Sequence, residues 1–290
     1  MCILPMAGSA SIIKTINQKE KKPMETIKKA IHILIFASFA AYLFLFSIFN
    51  IINSDDFYYK DYGNEGTAER MGISIEHLML STNALQDYLN DNRNDVDVDV
   101  MINGEKAKMF NEDEAAQLAL LKTRYLNARK VMYVFLFIAA ALSLYSIALQ
   151  KTRGWLKDLR WSLRPVSVVA AIVAIGGFAL IIFSFDSVLW PMIQKSVFPA
   201  SSYPGPVGNM PAMLTKTLFS NLCSYIMARF RILYFVAFFA VGIGERMVVI
   251  NREEKQKKAE QAAIQQRKRQ MPGVYGSETS SRKNKKKKKK

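Results

Sequence analysis

Four long apolar runs, separated by segments of opposite charge, leave this chain little to fold into except a bundle of membrane-spanning helices. The runs are Ala30–Ile52, Val131–Leu149, Val166–Phe185 and a weaker one over Phe230–Ile250. The first three hold no Asp, Glu, Lys or Arg over about twenty positions, and at about 1.5 Å per helical residue that length crosses a hydrocarbon core of about 30 Å. A cleaved leader needs a short apolar core and a small-residue cleavage site, whereas the first run here is full length and follows Lys28 and Lys29, so it reads as a retained span.

Charge between the runs sets the orientation. Residues 1–29 carry six Lys against two Glu, and residues 150–165 carry five basic residues against Asp158, each net +4. Residues 251–290 carry fifteen basic and four acidic residues, net +11, whereas residues 53–129 carry eight basic and fifteen acidic, net −7. Basic flanks stay on the cytoplasmic side, so four crossings with both termini inside satisfy every count. The expected layout is a cytoplasmic, disordered segment 1–28, span one at 29–52, an extracytoplasmic α+β module at 53–129, span two at 130–149 and a cytoplasmic loop at 150–165. Span three at 166–186, an extracytoplasmic loop with an interfacial helix at 187–228, span four at 229–250 and a basic cytoplasmic tail at 251–290 complete it. Met24 also reads as a start. Cys2 and Cys223 then lie on opposite sides of the bilayer, which excludes a disulfide between them.

The acidic segment changes period in the manner of a small folded module. Ser74 is a predicted N-cap for a helix whose apolar residues Ile75, Leu78, Met79, Leu85 and Leu89 recur at helical spacing. Alternation from Asp95 to Ile102 followed by Asn103-Gly104 predicts a type I′ hairpin. Asn111 with Glu114 predicts a capping box for a helix that leads into span two. A module of this size buries little apolar surface alone, so its apolar faces are expected to rest on the outer ends of the spans. Trp190–Met213 holds five prolines and two glycines and reads as an irregular loop. An interfacial helix over Ala212–Met227 and a boundary at Arg229 and Arg231 follow.

Candidate chemistry is sparse. His32 and His77 fall on opposite membrane faces, each reads as structural, and they form neither a metal pair nor an acid–base pair. Asp95, Asp97 and Asp99 lack the turn residues of a calcium loop and fit a solvated strand face. No metal site and no cofactor is expected, and no nucleotide-binding or hydrolase motif occurs. Arg229 and Arg231 are either phosphate holders at the outer leaflet or ordinary boundary charges. Lys285, Lys286, Lys287, Lys288, Lys289 and Lys290 either orient the chain or adhere to anionic inner-leaflet lipids, and specific nucleic-acid binding is not expected.

The run Gly72–Glu76 with Leu78, Leu85 and Tyr88-Leu89, then Asn103-Gly104, then Phe110-Asn111 and Glu114, resembles the four-span bacterial membrane proteins that include the lipoprotein intramolecular transacylase, Lit. The resemblance covers roughly residues 29–250. It implies a mainly α membrane fold and an activity at the outer leaflet, in which an acyl chain moves from the glycerol of a lipid-modified cysteine to that cysteine's own α-amine. It also implies two catalytic histidines, and at those positions this chain has Gln117 and Gln194. Leu120 stands where an acid is expected, and Lys122 remains of the charges that follow the first histidine.

Two readings result. In the first, the chain is an acyltransferase-like membrane protein whose outer-leaflet site binds membrane lipid or lipid-modified lipoprotein N-termini through Lys122, Arg124, Asp186, Lys195, Arg229 and Arg231 around Gln117 and Gln194. Its transfer chemistry is lost or altered, as in a pseudoenzyme. In the alternative, it is a non-catalytic membrane scaffold that works through its outer module and basic tail. Both place it in the bacterial cytoplasmic membrane.

Overall fold

The computed structural model describes residues 8–197 and 208–270; the stretch 198–207 of the expected loop and the lysine run 285–290 lie outside the described residues. Helix α1 spans Gly8–Ile52. Helix therefore begins well inside the segment 1–28 that was expected to be disordered. The apolar run supplies the costly nucleus, and only Pro23 interrupts the helix-tolerant residues that extend it backwards.

Two short helices that periodicity did not reveal follow directly. Helix α2 (Asp55–Glu65) starts after Ser54 with Asp55 and Asp56 in its first turn, and α3 (Thr67–Met71) follows it. Gly66 at φ 58° and Gly72 at φ 66° end them in the left-handed conformation that a side chain resists. In α4 (Ile75–Leu89) the Ser74 hydroxyl accepts the His77 N–H at 3.3 Å. Strands β1 (Asp99–Ile102) and β2 (Glu105–Lys108) pair antiparallel with Ile102 opposite Glu105. The positive φ of Asn103 (49°) and Gly104 (84°) makes the two-residue turn that matches strand twist. Val96, Val98 and Val100 are buried, while Asp97 and Asp99 face solvent and pair with Lys108 and Lys106 at 2.8 and 2.9 Å.

Helix α5 is assigned from Glu112 to Phe183, and its start carries a reciprocal capping box: Glu114 N–H to Asn111 Oδ1 at 2.8 Å and Asn111 N–H to Glu114 Oε2 at 3.0 Å. Residues 150–165, expected as a loop, have helical backbone. The long assignment is nevertheless folded back on itself. Tyr125 meets Phe49 and Ser146 meets His32, so this half runs antiparallel to α1. The later half has Asp186 beyond its end on Lys216 and Ser167 on Tyr234, antiparallel to the last helix. Helix α6 (Trp190–Val197) and helix α7 (Asn209–Met213) stand where an irregular loop was expected. Pro211 falls within the first three residues of α7, where no intrahelical N–H bond is lost, and Pro191 is the second residue of α6. Helix α8 runs from Lys216 to Gln270. The expected interfacial helix and separate fourth span are thus one helix, because nothing between Lys216 and Gly244 breaks helical hydrogen bonding.

Among the described residues, three helical stretches are long and apolar enough to cross a membrane, Thr26–Ile52, Glu112–Ala148 and Lys216–Gly244, and a fourth arises if the bent pair Ser167–Phe183 and Phe185–Val197 is one span. One compact unit extends to Phe238 and a second begins at Phe239, in which residues 250–266 are exposed. The core of the first unit lies in the module rather than among the spans. It joins Tyr62, Leu78, Val100, Met109 and Leu118 to Phe49 and Ile51 of α1 and to Met210, Met213, Leu218 and Leu222 of the second segment.

Polar bonds fix that junction. Asn53 Nδ2 donates to the Tyr125 hydroxyl at 2.9 Å, and the hydroxyl and Arg129 donate to Asn90 Oδ1 at 3.1 and 3.2 Å. The second segment is held by Glu114, whose Oε1 accepts the buried Met210 N–H at 2.7 Å and whose carboxyl leaves no room for a side chain at Gly208. Replacing Glu114 by Ala removes the side-chain half of the capping box, leaving the Asn111 cap itself, and orphans the Met210 N–H, a loss of about 1–3 kcal/mol. A lower thermal unfolding midpoint in detergent is expected, and an unchanged midpoint contradicts the clasp.

Candidate functional site

A sharp break after the third apolar run shapes the strongest polar feature at the module end. The chain bends by 91° at Ser184, passes through a π-helical turn over Phe185–Leu189 and continues as α6. Trp190 is buried and stacks near Phe185 and Phe219 at centroid distances of 6.4 and 5.9 Å, which wedges the bend against α8. The bend leaves a cavity of about 440 Å³ lined by Ile181, Phe183, Asp186, Lys216, Thr217 and Ser220. Asp186 and Lys216 form an ion pair at 2.7 Å on its wall. Asp186, Lys216, Thr217 and Ser220 make its lining mainly polar, with Ile181, Ile182, Phe183 and Phe185 as the apolar part.

The residues expected at the site fall into four places. Arg124 donates to the carbonyls of Ser196 and Lys195 at 2.6 and 3.3 Å, a cation on the exposed last carbonyls of α6, so the helix bearing Gln194 is tied to α5. Gln117 lies seven residues before Arg124, two turns along the same face of α5. Gln117 and Gln194 are both half-buried. Asp186 belongs to the cavity. Lys122 is committed elsewhere, paired with Asp91 at 2.7 Å and set 4.5 Å from the Tyr88 ring centroid. Arg229 and Arg231 sit within α8 and end no helix, with the Arg231 guanidinium 5.5 Å from the Phe178 ring. Lys216 was absent from the expected set, although its place at a helix start beside Thr215 was a signal.

Neither histidine reaches this region among the contacts described. His32 is fully buried, with Nδ1 at 2.7 Å from the Lys28 carbonyl and Nε2 at 3.2 Å from the Ser146 hydroxyl, a link between spans. His77 accepts the Met101 N–H through Nδ1 at 3.3 Å and so ties α4 to the hairpin. Among the described residues no group of three metal-ligating side chains forms.

A buried carboxylate was also missed. Asp61 is 5% exposed; its Oδ1 accepts from Asn221 Nδ2 at 2.7 Å, and its Oδ2 has no hydrogen-bond partner among the described residues. Burial pushes its pKa above the ordinary aspartate value, the Asn221 bond opposes that rise and the nearby Glu65 charge adds to it. The folded protein therefore binds this proton more tightly than the unfolded chain does. Stability falls as pH rises from the ordinary aspartate value through the raised one. Asp61→Asn is expected to flatten that slope, measured as unfolding midpoint against pH in detergent, and an unaltered slope assigns the dependence to other groups.

An integral membrane protein with a folded helix-and-hairpin module, a helix pair bent by 91° and an ion-paired cavity is the class these features define. The family described as lipoprotein intramolecular transacylase Lit matches residues 32–198, more than half of the chain, and the chain belongs to that family. Its fold is similar to the membrane-integral lipoprotein intramolecular transacylase Lit from Bacillus cereus, at a TM-score of 0.57 and 14% identity, covering 77% of this chain and 99% of that one. Histidine-to-arginine and histidine-to-alanine variants of that Bacillus cereus protein give TM-scores of 0.54 and 0.52 at 13% and 14% identity, covering 80% and 79% of this chain and 99% of each variant. No curated protein matches the chain.

Proposed function

We propose that this chain binds lipid or the lipid-modified N-terminus of a lipoprotein at the outer leaflet, and that its acyl transfer is lost or slowed because Gln117 and Gln194 stand at the family's histidine positions. The module lies outside and both termini inside, in a multi-pass arrangement in the bacterial cytoplasmic membrane. The observation that carries this reading is the Arg124 bond to the end of α6, which couples the helix face bearing Gln117 to the helix bearing Gln194. The cavity at Asp186 and Lys216, with a mainly polar lining, offers ionic and hydroxyl groups for a lipid head.

Glutamine keeps the capacity to hydrogen-bond an ester carbonyl or an oxyanion but cannot accept and return a proton. Ligand recognition therefore survives the exchange and proton transfer does not. The test is N-acylation of a coexpressed diacylglyceryl lipoprotein, read by mass spectrometry alongside binding of a synthetic lipopeptide. Binding with little transfer is expected, and Gln117→Ala with Gln194→Ala should weaken binding. Robust transfer that persists in that double variant would falsify the site assignment.

A further inference from the structure

Below the cavity, the same two helices enclose a second space of different character. Its volume is about 330 Å³, and Ala171, Ile175, Phe230, Phe235 and Phe238 form most of its wall. Its hydroxyls satisfy each other, with Tyr234 donating to Ser167 at 3.2 Å, so Arg231 alone brings charge. Met227 packs on Gly177 between the two spaces, where a Cβ would approach Met227 Cε to 2.9 Å. The cleft and the cavity are therefore distinct.

We propose that this cleft holds one acyl chain of an anionic phospholipid whose phosphate is bound by Arg231. The order of groups matches the order within a lipid. Phe57 meets Tyr225 and Phe44 meets Phe230, so α8 leads away from the module, and Phe235 and Phe238 lie about one and two turns beyond Arg231. Charge stands nearer the module and apolar wall extends away from it. Arg231 has no acidic partner among the described residues and contacts the face of Phe178 instead. A guanidinium on an apolar helix is costly unless it reaches headgroups or an anion, and phosphate accepts its paired N–H groups. The volume lies near the lower end of small-ligand sites, which fits one chain. This inference concerns lipid retention and goes beyond the transfer site, so failure of either leaves the other standing.

Native mass spectrometry of the full chain in detergent, exchanged against phosphatidylglycerol or phosphatidylcholine, tests it. One phosphatidylglycerol should be retained in preference to phosphatidylcholine. Arg231→Gln should lower phosphatidylglycerol retention by about tenfold, the scale of a lost charged hydrogen bond, and Arg231→Lys should restore part of it. Ala171→Trp, which fills the cleft and leaves the charge, should displace both lipids. Equal retention of the two lipids, unchanged retention in Arg231→Gln or Ala171→Trp, or a lipid-free dimer that closes the cleft with a second copy overturns the proposal.

Discussion

Gln117→His combined with Gln194→His should raise N-acylation of a coexpressed lipoprotein by about 10²–10⁴, the range contributed by general acid–base catalysis. Attack of an α-amine on an ester requires the ammonium to give up a proton and the departing alkoxide to receive one. Imidazole titrates near pH 6.5 and can do both, whereas a primary amide does neither. Both positions are half-buried, so the rings have space without opening the core. The gain should increase as pH rises through the imidazole range, and either single replacement should gain less because the steps share one proton path. A folded double variant that binds lipopeptide normally yet transfers no faster than the parent would remove these positions from the site.

The largest stability effect is expected from Leu118→Ala. Leu118 has no exposed surface and lies in the core where α5 meets the module and the second segment. Truncating a buried leucine removes transfer free energy and leaves a cavity, together about 2–5 kcal/mol. That is a large fraction of the roughly 5–15 kcal/mol that holds a typical domain folded. Leu120→Ala, two positions along and 50% exposed, should stay within about 0.5 kcal/mol. Denaturant titration of both variants in the same detergent checks the contrast, and similar losses would mean that the module core does not govern unfolding.

What the amino-acid order reveals here is local. Uncharged runs mark the spans, Ser74 and the Asn111–Glu114 pair mark helix starts, and Asn103-Gly104 marks the hairpin, because each signal acts within a few residues. Helix α2 buries one face, Phe57, Tyr58, Asp61 and Tyr62, and escaped notice because that face mixes aromatic rings with a carboxylate instead of an aliphatic stripe. Arg229 and Arg231 suggested an end to a helix that continues, because long cationic side chains can leave an apolar stretch while the backbone stays in it. The site suffers most. Asp61 and Asn221 are 160 residues apart and Glu114 and Met210 are 96 apart, and no periodicity reports such pairings. The family resemblance located Gln117 and Gln194, but only coordinates revealed that Lys122 is occupied and that Lys216 faces Asp186.

The shared core also constrains biosynthesis. Leu78, Leu85 and Leu89 pack in one cluster with Met210, Met213, Leu218 and Leu222, which a ribosome makes more than a hundred residues later. At about 5–20 residues per second that interval is on the order of ten seconds. During it the cap has its helices and hairpin without the residues that close its interior. Completion must follow synthesis of the last span, so any factor that delays that span leaves an open apolar surface on the module.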